Sequence, residues 1–262
     1  MSLYTAYYGD ENASAIVFLH GGGISGWMWN KQVSAFADYH CIVPDLPEHG
    51  HSIFEQPMTI SDSADQIAQL IRIHAKGGKA HVVGHSIGAK IIVELLSRHP
   101  DVIDHAVIVS ALFVPIPMLK YFCNRFIYKL TVMMLKNRWI LAYQVRQFGF
   151  AKGDEQHLAD DFRLLTVDHL DHVYGELYKH LKLPDHLQSA KSPSLILAGE
   201  KEPLAMRKSV GLIASALPNA KGMLIRGCKH DIPWKASDAF NQIVRSWLQG
   251  QAISSDDIMP MR

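Results

Sequence analysis

The feature that most constrains this chain is an alternation. Short apolar runs of strand length, "SAIVFLH", "HCIVPDL", "KAHVVGH", "HAVIVSAL", "SPSLILAG" and "AKGMLIRG", are separated by segments with helical spacing. The runs are rich in Val, Ile and Leu, with no regular apolar–polar alternation. A strand with one wet face alternates, so continuous runs read as strands buried on both faces of a parallel sheet. An earlier segment, "LYTAYYG", alternates weakly and reads as an edge strand. "SDSADQIAQLIRIHAK" opens on Ser and Asp, good helix caps, and spaces its apolar residues by three and four. "SDAFNQIVRSWLQG" does the same and stops at Gly250. Strand and helix in turn, in 262 residues that are 48% apolar, predict an α/β fold with a doubly wound, mostly parallel sheet.

The alternation breaks between Leu112 and Ala190, where no buried strand is evident. The first half of this stretch is rich in aromatics, Met and Leu at helical spacing. From Asp104 to Asp154 it contains no acidic residue, but carries Lys120, Arg125, Lys129, Lys136, Arg138, Arg146 and Lys152. The expected organisation is a core of residues 1–111 and 191–250, an inserted helical cap over 112–190, and a frayed tail over 251–262. The apolar positions of the cap are expected to pack on the core and its Lys and Arg to face water. Contact with a membrane surface is not expected.

Bulk composition excludes several classes. A formal net charge of +1 gives no general electrostatic case for nucleic acid, which requires a concentrated basic surface. Cys41, Cys123 and Cys228 are odd in number and far apart, which suits reduced thiols in the cytoplasm; Cys228 reads as a small packed residue. The opening "MSLYTAYYGDENAS" has neither the basic start nor the apolar core of a signal peptide. No uncharged apolar run reaches the length of a membrane span. No cofactor and no metal are expected.

One serine stands out. Ser86, in "HVVGHSIGAK", has glycine two positions before and two after, with a strand pattern on one side and a helical pattern on the other. A sharp strand-to-helix turn strains the central residue and exposes its side chain. Its neighbours at minus two and plus two must lack bulk, or their Cβ atoms collide across the turn. The following helix places amide N–H groups near the serine. A serine hydroxyl becomes a useful nucleophile only with a general base, and that base needs an orienting carboxylate. The chain has fifteen histidines, so position must decide among them. Reactive groups of a doubly wound sheet sit beyond the carboxyl ends of its strands. "SPSLILAG" is followed by Glu202, and "AKGMLIRG" by His230. His230 is the candidate base and Glu202 the candidate acid. Glu200 is the nearer rival, on the opposite side of an extended loop. His49, His51 and His85 read as structural or surface groups. The backbone N–H of Ile87 is one candidate donor to an oxyanion, and that of Gly22 in "FLHGGGISGWMW" the other, with Gly23 next.

Together "LHGGGISGWMW", "VPDLPEHGHS", "VVGHSIGA", "LILAGEKEP" and "GCKHDIPW…AFNQIVRSWL" resemble the α/β-hydrolase fold superfamily. They stand in the family's order and cover nearly all of the chain outside 112–190, where the family carries its helical cap. The resemblance implies Ser86 as nucleophile, His230 as base and an acid at Glu202. Two positions depart from the family pattern. Glu202 stands where Asp is commoner, so its loop must sit slightly further back. Glu48 stands where glycine is usual, with only a local loop change expected. The expected activity is hydrolysis of a carboxylic ester, thioester or lactone of an apolar small molecule through an acyl-enzyme on Ser86. A C–C bond hydrolase with the same triad and a ligand receptor with an idle triad are the alternatives. The oligomeric state is left open.

Overall fold

The computed structural model describes residues 3–54, 56–117, 119–151, 153–253 and 258–260, with only the backbone of Leu119, Lys120 and Pro260. Its strands are β1 (Thr5–Tyr8), β2 (Ala15–Leu19), β3 (His40–Pro44), β4 (Ala80–His85), β5 (Ile103–Val109), β6 (Ser194–Gly199), β7 (Ala220–Ile225) and β8 (Ile258–Pro260). They form one sheet in the order β1-β3-β2-β4-β5-β6-β7-β8. β1 and β8 pair antiparallel at the two edges; the strands between them are parallel. The helices are α1 (Asn30–Ala35), α2 (Ile60–His74), α3 (Ile87–Arg98), α4 (Leu119–Phe122), α5 (Arg125–Leu135), α6 (Arg138–Phe148), α7 (Glu155–Leu164), α8 (Val167–Lys179), α9 (Leu204–Ala216), α10 (Ile232–Lys235) and α11 (Ser237–Leu248).

The period-two geometry of a strand explains the continuous apolar runs. Val17 and Leu19 of β2 face one core layer, with Ile67 and Ile71 of α2 and Ile91 and Leu95 of α3. Ile16 and Phe18 of the same strand face the other, with Phe240, Val244 and Trp247 of α11. β4, β5 and β6 split their residues in the same way. Both faces are covered, so neither could carry polar residues without a partner.

The sheet winds both ways from its middle. β2 leads to β3 on one side, while its other neighbour, β4, leads to β5 on the opposite side. Connections diverging from adjacent strands leave a crevice at their carboxyl ends, where doubly wound sheets bind ligands. The loops after β2 and β4 meet there.

Two expectations are corrected. The tail was expected to fray from residue 251, but Ile258–Pro260 pairs with Met223–Ile225 of β7 as the last strand. Residues 254–257, 261 and 262 lie outside the described residues. Between β5 and β6 the described residues form the five helices α4 to α8. Their apolar positions do not all pack inward: Phe126, Leu130, Met133, Trp139 and Tyr143 are exposed. Lys152 lies outside the described residues.

Candidate active site

Ser86 sits between β4 and α3 with φ 55° and ψ −110°, a strained backbone for a residue with a side chain. Its backbone is tied on both sides. Its N–H donates to Val109 O of β5 at 2.8 Å, and its carbonyl accepts from Lys90 N at 3.1 Å. The flanking glycines are required by packing. A Cβ on Gly84 would stand 2.6 Å from Gly88 O, and one on Gly88 would strike Leu19 O and lie 2.7 Å from His20 O. Gly88→Ala is therefore expected to lower stability by about 2–3 kcal/mol through overpacking. Thermal unfolding checks this, and an unchanged melting temperature would contradict the close approach of the start of α3 to the end of β2.

Gly21, directly after β2's run, comes up to Ser86. A Cβ there would lie 3.5 Å from Ser86 Cβ and 3.0 Å from His85 Nδ1. Gly22 is exposed, and a Cβ there would meet Val173 of α8 at 3.2 Å. Ile87 opens α3, so its N–H belongs to the helix's unpaired first turn. His20 holds this loop to the next one: its Nδ1–H donates to Gly21 O at 2.8 Å and its Nε2 accepts from Leu46 N at 2.8 Å. Burial holds the His20 imidazole below its ordinary range, which keeps it neutral for both roles.

Glu202 and His230 follow β6 and β7, and are in contact. His230 Nδ1 donates to Glu202 Oε2 at 3.2 Å. The other oxygen, Oε1, accepts from Ser110 Oγ at 2.6 Å and from Gly199 N at 2.9 Å. The Glu202 side chain is fully buried while that of His230 is 47% exposed. Three hydrogen bonds thus fix the orientation of both carboxylate oxygens. Gly199 must be glycine here, since a Cβ would meet the Cys228 and Lys229 carbonyls of the His230 loop. Glu200 points elsewhere, accepting from Gly227 N at 2.8 Å.

So the ends of four neighbouring strands, β4 to β7, carry Ser86, Ser110, Glu202 and His230. Among the described residues, no hydrogen bond joins Ser86 Oγ to His230. Unliganded sites often show such bonds long or unformed. Sequence reasoning missed Ser110, whose only signal was a serine directly after a buried strand, here at φ 57°. It also placed His85 among structural groups. His85 is buried, and its Nε2–H donates to the His230 carbonyl at 2.9 Å. Burial beside His230 holds His85 well below its ordinary pKa, so a neutral ring does this supporting work.

The helical segment reaches the same loops. Glu48, expected to change only its loop, bridges much further. It is buried with φ 63°, accepts from Met58 N at 2.9 Å, and pairs with His172 of α8 at 2.7 Å. One turn on, Glu176 accepts from Ile60 N at 3.1 Å. Lys90, buried on α3, donates to Leu112 O, Leu177 O and His180 O at 2.8, 3.2 and 2.5 Å. These bonds fasten α8 over the glycine loop.

Asp161 of α7 docks on that loop from another side, accepting from Ser25 Oγ at 3.0 Å and Trp27 Nε1 at 2.6 Å. Burial pushes its carboxyl up to about 6, against those hydrogen bonds. Its folded pKa thus exceeds the unfolded one of about 3.9. The protonated form is favoured by folding, so this stability is present below about pH 4 and lost as pH rises to about 6. Asp161→Asn is expected to flatten that part of the stability profile and to raise stability at neutral pH by about 1–2 kcal/mol. Melting temperature against pH for both proteins checks this; coincident profile shapes would contradict it.

A model of the alpha/beta hydrolase family matches residues 16–243. The chain belongs to that family. It is 39% identical over 105 residues to an AB hydrolase superfamily protein of Gibberella zeae, a match covering 38% of this chain and 37% of that one. It is 26% identical to a 2-hydroxy-6-oxononadienedioate/2-hydroxy-6-oxononatrienedioate hydrolase of Paraburkholderia phymatum, over 92% of this chain and 90% of that one. Among solved structures it is similar to MGS-M2, an alpha/beta hydrolase enzyme from a Medee basin deep-sea metagenome library. That likeness is one of fold: TM-score 0.79, 20% identity, covering 97% of this chain and 96% of that one. The chain is thus of the α/β-hydrolase type, and no helix among the described residues is long and apolar enough to cross a membrane.

Proposed function

We propose that this hydrolase cleaves a carboxylic ester, thioester or lactone of an apolar small molecule through an acyl-enzyme on Ser86. The observation that supports the reading is the His230–Glu202 hydrogen bond beyond β6 and β7, with the His230 ring against His85, the residue before the strained Ser86. His230 Nδ1–H faces the carboxylate, which leaves Nε2 as the basic nitrogen. In the first step, His230 Nε2 takes the Ser86 proton while Oγ bonds to the carbonyl carbon. The carbonyl electron pair moves onto oxygen, where the N–H groups of Ile87 and Gly22 receive it. When the carbonyl re-forms, the leaving group departs with the proton held by His230. Water then attacks the acyl-enzyme by the same route, giving the acid and free Ser86. Ser110 and His85 act as positioning residues, one through Glu202 and the other through the His230 backbone. The cap over 112–190 supplies the apolar surroundings, through Val173 above Gly22.

A second reading has one observation behind it. The Paraburkholderia relative is named for a 2-hydroxy-6-oxo dienedioate, which has no ester to cleave, so C–C bond hydrolysis with the same residues is its counterpart here. A panel of esters, thioesters and lactones, run beside a vinylogous diketone, tests the two. Turnover of the acyl substrates with little C–C cleavage supports the first, and the reverse overturns it. Slow turnover of every substrate with tight ligand binding would instead favour a receptor with an idle triad.

A further inference from the structure

Helix α5 is apolar nearly all round: "RFIYKLTVMML", with Arg125, Lys129 and Thr131 as its polar residues. Such a helix belongs inside a protein or against something else apolar. Its inner face packs on α8, where Tyr128 is buried and stacks on Tyr174 at 5.8 Å between ring centres. Its other side is bare. Phe126 is 75% exposed, with Leu130 and Met133 also exposed at helical spacings of four and three. Helix α6 repeats the pattern. Leu141 and Val145 are buried, while Trp139 (71% exposed) and Tyr143, four residues apart, face out.

The charges on these two helices have one sign. The acid-free stretch from 105 to 153 covers both of them. Arg125 is neutralised by Asp168 and Asp171 of α8. Lys129, Lys136, Arg138 and Arg146 are exposed and make no ion pair among the described residues. Arg138 lies over the Trp139 ring, 4.7 Å from its centre. Exposed aromatic and aliphatic residues interleaved with unpaired cations suit a surface that is apolar and anionic together, as the headgroup boundary of an acidic bilayer is. A second copy of the chain suits it poorly. A two-fold contact apposes the same patch on both subunits and would set these cations against themselves.

We propose that the outer faces of α5 and α6 form a docking surface for anionic lipid membranes. Aromatic and aliphatic side chains enter the headgroup region, and Lys129, Lys136, Arg138 and Arg146 meet lipid phosphates. The proposal stands apart from the hydrolase reading, since binding needs no turnover.

The test is co-sedimentation of the full-length protein with vesicles of phosphatidylcholine alone or mixed with phosphatidylglycerol. Binding is expected to be at least about tenfold stronger to the acidic vesicles and to weaken with added salt. Two variants, Phe126→Ser/Trp139→Ser and Lys129→Glu/Lys136→Glu, should each lose about tenfold in binding with unchanged melting temperatures. No binding to acidic vesicles, equal binding to both vesicles, or wild-type binding by folded variants overturns the proposal. So does sedimentation velocity showing a wild-type dimer that Phe126→Ser/Trp139→Ser converts to monomer, which assigns the patch to a second copy.

Discussion

Replacing Ser86 by alanine is expected to lower kcat for a short-chain aryl ester by about 10^5-fold or more, with the fold unchanged. The size follows from the role. Without Oγ no acyl-enzyme forms, and His230 has no hydroxyl from which to take a proton. Water attack on substrate held by Ile87 and Gly22 remains, so activity falls to a residue above the solution rate. Folding should be unaffected or slightly favoured. The backbone bonds to Val109 and Lys90 do not involve the hydroxyl. Steady-state kinetics with an unchanged melting curve check the prediction. Turnover within about tenfold of wild type would exclude Ser86 as nucleophile.

Glu202→Gln carries the second largest expected effect, a loss of about 10^3–10^4-fold in kcat/KM. The amide preserves the side chain's shape, and its oxygen can still accept from Ser110 Oγ and Gly199 N. What then faces His230 Nδ1 is an NH2 group. A donor there selects the imidazole tautomer with its hydrogen on Nε2, the nitrogen that must accept the Ser86 proton. The substitution therefore removes the base without moving it. Glu200→Gln is the control. Its carboxylate bonds the exposed Gly227 N, and a loss of more than about threefold there would be out of line with its place. If the two variants exchanged their effects, Glu200 would be the acid.

The fold was largely legible in the sequence because strands buried on both faces write themselves as continuous apolar runs. The runs beginning "SAIVFLH" and "HAVIVSAL" become β2 and β5, and "LYTAYYG" becomes the antiparallel edge. The last strand was not legible. Ile258–Pro260 is three residues long, and nothing local distinguishes it from a fraying end; only β7 beside it makes it a strand. At the site, Ser86 was readable because glycines flank it at a fixed short spacing, although only the Gly84 clash, with Gly88 O, lies within the turn; that of Gly88 is with Leu19 O and His20 O at the end of β2. The ring contact of His85 with His230, at 4.5 Å between centres, and the Ser110–Glu202 bond join positions far apart in the chain, so no spacing reveals them. Glu48 shows the same limit. Its departure from glycine was visible, but its reach to His172 on α8 depends on how the helical segment lies. Periodicity marked α5 and α6 as helices, but it could not say which apolar face would be covered.

The central claim is that Ser86 is an activated nucleophile within this constellation. Intact-mass analysis after treatment with a fluorophosphonate, on wild type and Ser86→Ala together, tests it most directly. One adduct is expected on the wild-type chain, located at Ser86, and none on the variant. An unlabelled wild-type protein at millimolar probe, or an adduct that persists in Ser86→Ala, would contradict it.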